Sequence, residues 1–160
     1  MNLFLFRHAE AEDRALSGKD EDRALTRKGR ESAKAVAALL ARLEKIQSIW
    51  HSPLARAAET ASFAAKEFPN AEIRETPSLR SEAPVVRVLD EISGRQPGDV
   101  LLVGHQPHLG ELLALCISGR EGGSIPMRKA SLARIKFAGS HASPPGKLIY
   151  LLSPEMAAKL

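Results

Sequence analysis

The chain has 160 residues, 44% of them hydrophobic and 26% charged, with a net charge of +4. That length suits one domain across residues 1–160 with a substantial core, and the composition excludes disordered and fibrous classes. Aromatics make up only 4%, and basic residues are interleaved with acidic ones (DEDRALTRKGRE), which argues against base-stacking surfaces and nucleic-acid tracks.

Cys116 is the single cysteine, so no internal disulfide can form, and its setting LLALCIS reads as a buried helix face carrying an inert thiol. No apolar run approaches the ~20 residues of a membrane-spanning helix. The first residues lack the basic leader and apolar core of a signal peptide. A cytoplasmic protein with no membrane or nucleic-acid partner is expected; oligomeric state is left open.

In chain order, Asn2–Phe6 (NLFLF) is an apolar run long enough for a buried strand and too short for a helix. Residues 10–23 read as a polar loop. Thr26 is an N-cap for a helix reaching Leu43, with Ala33, Val36, Ala37, Leu40 and Leu43 on one face. Ser48–His51 is a second strand. Ser52-Pro53 reads as N-cap and first-turn proline of a helix with Leu54, Ala58, Ala61, Ala65 and Phe68 in register, ended by Pro69-Asn70. Residues 71–75 read as a third strand, and Pro84–Ser93 as a helix carrying Val85, Val88, Leu89 and Ile92. Val100–Val103 is the continuous apolar run of a central parallel strand. A helix from Pro107 to Ser118 follows, stopped by Gly119. Leu132–Phe137 and Leu148–Leu152 read as a closing strand pair.

Alternating strands and helices predict an α/β/α sandwich, a mainly parallel sheet covered on both faces, without a large cap insertion. Ligands in such sheets bind beyond the carboxyl ends of the strands. Three polar groups stand there: Arg7-His8, Ser52-Pro53 with Arg56, and Gly104-His105. Arg56 opposes the positive end of its own helix, and an anion at that helix start would reverse the sign. Taken singly, Arg56 reads as a surface arginine and each histidine as a structural one. Together the four suit a tetrahedral dianion, with arginine forks on the oxygens and a neutral imidazole as nucleophile, its protonation disfavoured by nearby cations. His105 and His108 form an H-x-x-H without a clear third ligand, so no metal and no cofactor are expected.

These stretches resemble the histidine phosphatase superfamily, with its phosphoglycerate-mutase-like fold. RHAEA looks like its R-H-G signature, SPLARAAET like its S-x-x-x-R-x-x-x-T motif, and VGHQP like the motif in which a histidine ends a central strand. Length and layout are similar to the SixA-type phosphohistidine phosphatases. The resemblance implies that His8 is the nucleophile of a metal-independent phosphatase. It implies that Arg7, Arg56 and His105 hold the phosphoryl oxygens, and that water hydrolyses a transient phosphohistidine.

Two departures stand out. Ala9 replaces the usual glycine of the signature. Larger members carry a glutamate acid in an insertion after the second motif, whereas here about 43 residues separate Arg56 from Val100. Glu82, in LRSEAP, is the candidate acid; its alternative role is a helix-start carboxylate near Pro84. Ser17, Lys19 and Arg23 are candidate lip residues for substrate binding, the alternative being a solvated loop. The expected substrate is a phosphohistidine on a signalling or phosphotransfer protein. A small-molecule phosphomonoesterase and a non-catalytic phosphate-binding module are the rival readings.

Overall fold

The computed structural model describes residues 1–160. Successive side chains of NLFLF point to opposite sides of strand β1 (Asn2–Arg7), and both sides are apolar, so the strand must be covered on both faces. Leu3 and Leu5 enter one core, Phe4 and Phe6 the other. The same division runs through β2 (Ser48–His51) and β4 (Val100–Gly104), where Ile49, Leu101 and Val103 face one side and Trp50, Val100 and Leu102 the other. Each fully buried Leu or Phe contributes about 1.5–3 kcal/mol.

The first core is closed by α1 (Arg27–Leu43) and α2 (Ala55–Glu67), the second by α3 (Val85–Arg95) and α4 (His108–Ser118). With β3 (Glu72–Glu75), β5 (Leu132–Lys136) and β6 (Lys147–Leu152), the strands form one six-stranded sheet in the order β3-β2-β4-β1-β5-β6. Strands β1 to β4 are parallel; β5 runs antiparallel to β1, and β6 antiparallel to β5. This is the three-layer α/β arrangement with a mainly parallel sheet. A short α5 (Pro154–Ala157), missed in the sequence, packs against α1. No helix is long and apolar enough to cross a membrane.

Thr26 caps α1 as expected, its hydroxyl accepting from Gly29 N at 2.9 Å. A Cβ on Gly29 would collide with the carbonyl of Glu10, so glycine lets the loop after β1 lie directly on the start of α1. Gly119 closes α4 at φ 71°.

Three expectations need correction. Ser52-Pro53 does not cap α2: Leu54 is its N-cap and the helix starts at Ala55, because the Ser52 hydroxyl is engaged elsewhere. The buried side of α2 is Arg56, Ala57, Thr60, Ala61 and Ala64, with Ala58, Ala65 and Phe68 only partly covered. Leu43, expected inside, is 51% exposed at the end of α1. Cys116 is wholly buried, and burial pushes its thiol up to about 12.

Candidate active site

The parallel register gathers the strand ends. Arg7 pairs with Gly104 and His51 with Val103, so the residues that follow, His8, Ser52 and His105, arrive side by side at one sheet edge. The His8 and His105 rings lie 5.1 Å apart, tilted by 56°. The backbone N–H of His8 donates to the carbonyl of Gly104, fixing the two motifs to each other.

His8 is 7% exposed, and its Nδ1 lies 2.7 Å from the carbonyl of Ala9. A carbonyl only accepts, so Nδ1 carries the proton and Nε2 keeps its lone pair. Burial, more than the neighbouring charges of Arg56 and Arg7, holds the His8 pKa down to about 4. Desolvation, and not the neighbouring cations to which the sequence points, is the larger cause. His105 is held at about 3, again by burial first, and its Nε2 lies 2.7 Å from Ser52 Oγ. Its Nδ1 is buried without a protein partner. When Ser52 donates to Nε2, that Nδ1 is a donor.

Arg56 is 6% exposed on the first turn of α2. Its Nη1 donates to the carbonyl of Asp20 at 3.1 Å and its Nη2 to the Asp20 carboxylate at 3.3 Å, leaving Nε buried and unpaired. Arg7 donates through Nη1 to the carbonyl of Met127 at 2.6 Å, and its Nε is likewise buried and unpaired. Around one neutral imidazole stand three residues, Arg7, Arg56 and His105, each retaining a buried nitrogen that no protein group satisfies. Buried unpaired donors are costly and rare, about 1–3 kcal/mol each. Donors of this kind are suited to an oxyanion.

Ala9 is buried with an ordinary negative φ, so alanine fits where the signature usually has glycine. Its N–H donates to Thr60 Oγ1 at 3.1 Å.

The remaining expected residues lie farther out. Arg23 pairs with Asp20 at 2.8 Å and donates to the Glu12 carbonyl, bracing the loop that reaches Arg56. Lys19 lines a surface cavity with Asp20 and Arg23, and its side chain makes no hydrogen bond or ion pair. Ser17 bonds Asp22 at 2.6 Å. Glu82 is 73% exposed and 3.9 Å from Arg80. No three His, Cys, Asp or Glu side chains converge as a metal site, and His108 is buried with both ring nitrogens unpaired. Sequence reasoning missed Asp20, hidden in a charged loop, and the role of Ser52, which its N-cap pattern disguised.

The model of the histidine phosphatase superfamily (branch 1) matches residues 3–83, which include the first two motifs. The chain belongs to this superfamily. An uncharacterised protein of Picosynechococcus is 33% identical over 97% of this chain and 98% of its own. Among solved structures, the protein histidine phosphatase SixA complexed with tungstate superposes with a TM-score of 0.83 at 23% identity, covering 96% of this chain and 97% of that one. An Agrobacterium tumefaciens structure assigned as a SixA phosphohistidine phosphatase gives 0.77 at 26%, with coverage of 96% and 97%. The α-ribazole phosphatase of Shigella flexneri gives 0.73 at 20%, with the same coverage. The histidine phosphatase fold thus extends over nearly the whole chain, including the third motif beyond residue 83.

Proposed function

We propose that this chain is a metal-independent phosphohistidine phosphatase with His8 as its nucleophile. The observation that carries the reading is the set of three buried, unpaired nitrogens, Arg7 Nε, Arg56 Nε and His105 Nδ1, around a neutral His8 whose Nε2 is unprotonated. Those donors hold the phosphoryl oxygens and stabilise the charge that develops on them. His8 Nε2 attacks phosphorus, the bond from phosphorus to the leaving nitrogen breaks, and that nitrogen takes up a proton. Water then attacks the phosphorylated His8, releasing orthophosphate and restoring the imidazole.

The choice of phosphohistidine over a phosphate ester rests on the shape of the site. Glu82, the candidate acid, is solvent-exposed beside Arg80, and only β3, a short 3-10 turn and α3 stand between α2 and β4, with no cap domain inserted. A departing imidazole is basic enough to be protonated with little help, whereas an alkoxide needs a placed acid. The similarity to SixA structures supports this substrate; the similarity to the α-ribazole phosphatase supports the alternative, a small phosphate ester.

A substrate panel tests the choice. Steady-state turnover of a phosphohistidine protein is expected to exceed that of small phosphomonoesters in kcat/KM. Turnover of monoesters with none of the phosphohistidine protein would replace this reading with the small-ester one. Phosphate binding with no turnover of either would leave only a binding module.

A further inference from the structure

We propose that Lys129 is a third cation of the phosphoryl pocket, beside Arg7 and Arg56, its ammonium binding an oxygen of the phosphoryl group presented to His8. The inference deepens the reading above, since it rests on this edge of the sheet being a phosphate site.

The topology brings Lys129 there. Strand β5 is antiparallel to β1, with Leu132 opposite Phe6, so the residues just before β5 arrive at the edge where β1 ends. Residues 127–131 are fastened to the first motif at three points and closed by a turn of their own. Arg7 donates to the carbonyl of Met127 through its guanidinium and to the carbonyl of Ser131 through its backbone N–H. Ala130 N–H donates to the carbonyl of His8 at 3.2 Å, and Ser131 N–H closes the turn on the Arg128 carbonyl. Ala130 is buried at φ 58°, a left-handed conformation that costs a non-glycine residue about 1–2 kcal/mol. Strain of this kind persists where surrounding contacts over-determine it, and Lys129, the exposed residue before it, stands on this turn.

Lys129 lines a cavity of about 340 Å³ together with Arg7. Two other cations line the same cavity, and both are neutralised: Arg128 lies 3.1 Å from Glu155 and Lys28 lies 3.9 Å from Glu10. Lys129 has no ion pair and no hydrogen bond. After burial, the charges of Arg56, Arg7 and, least of the three, Lys129 add to the lowering of the His8 pKa. An unpaired lysine held beside an arginine with an unpaired nitrogen is suited to an anion that touches both.

The test is titration calorimetry of the intact protein with tungstate, a phosphate analogue that needs no turnover and no knowledge of the natural substrate. Lys129→Ala is expected to weaken binding about tenfold, the worth of one charge-assisted hydrogen bond. Lys129→Arg is expected to restore most of it, and Arg128→Ala, which removes a cation already paired, to change it less than twofold. Equal weakening by Arg128→Ala and Lys129→Ala would reduce the effect to net charge and overturn the proposal. Unchanged affinity in Lys129→Ala, with a clear loss in Arg56→Ala, would overturn it while leaving the phosphate site intact. No tungstate binding by the unaltered protein would overturn both.

Discussion

Thr60 Oγ1 lies 3.1 Å from the backbone nitrogen of Ala9, and the same hydroxyl donates to the carbonyl of Arg56 at 2.7 Å. One buried side chain therefore ties the loop that presents His8 to the helix turn that presents Arg56. The final threonine of the S-x-x-x-R-x-x-x-T pattern thus fixes how the two phosphate-facing motifs stand to each other.

Replacing Thr60 by valine keeps the volume and removes both bonds, leaving the Ala9 N–H buried without a partner. The expected loss is about 1–3 kcal/mol of stability, read as a lower urea midpoint, with a fall in kcat. Serine at 60 is expected to recover most of both. A valine variant as stable and as active as the parent would remove Thr60 from the account.

Asp20 sits on the two terminal nitrogens of Arg56, where its carboxylate competes with an incoming dianion. The carboxylate is well exposed, so this ion pair is worth at most about 1 kcal/mol. Asp20→Asn keeps the backbone bond and drops the charge. It is expected to strengthen orthophosphate inhibition about two- to fivefold. Arg56→Ala is expected to lower kcat/KM by about 2.7–4 kcal/mol of transition-state stabilisation, as for a lost oxyanion donor. Weaker phosphate inhibition in Asp20→Asn would show that Asp20 helps the anion bind.

His8, His105 and His108 are all buried, and burial lowers their pKa values to about 4, 3 and 4. Between the ordinary value near 6.5 and those values, the unfolded chain binds protons that the folded chain refuses. Stability is therefore expected to fall as pH drops from about 6.5 to about 3, the loss levelling off below that range for these groups. His108→Leu removes one contributor, along with two unpaired buried nitrogens. It is expected to be at least as stable as the parent at pH 7 and to show a shallower loss down to pH 4. Urea unfolding at a series of pH values checks this; an identical pH slope in the variant would contradict it.

Much of this was legible in the sequence, for physical reasons that differ by element. The runs NLFLF and VLLV are apolar on both faces, which only a central strand tolerates, and they place His8 and His105 at once. Thr26 was readable because its hydroxyl has a local task three residues away. Ser52 was not: its hydroxyl serves His105, 53 positions on, so the local cap pattern misled. On α2, alanines occur on several faces, and periodicity alone set the buried stripe one residue off. Glu82 has Arg80 two residues before it in LRSEAP, but its exposure follows from the fold and not from that local stretch. Lys129 was not legible because the carboxyl ends of parallel strands mark the site in the sequence, whereas an antiparallel strand delivers the residues before its start.

The central claim is that His8 Nε2 forms the bond to phosphorus. Its most direct test is rapid quench of the enzyme with a ³²P-labelled phosphohistidine protein, in alkali, followed by mapping of the labelled peptide. The account predicts an acid-labile, alkali-stable phosphoryl group on His8, absent from His8→Ala, which is also expected to lose turnover. Undiminished turnover in His8→Ala, or label trapped on another residue of the native enzyme, would contradict it.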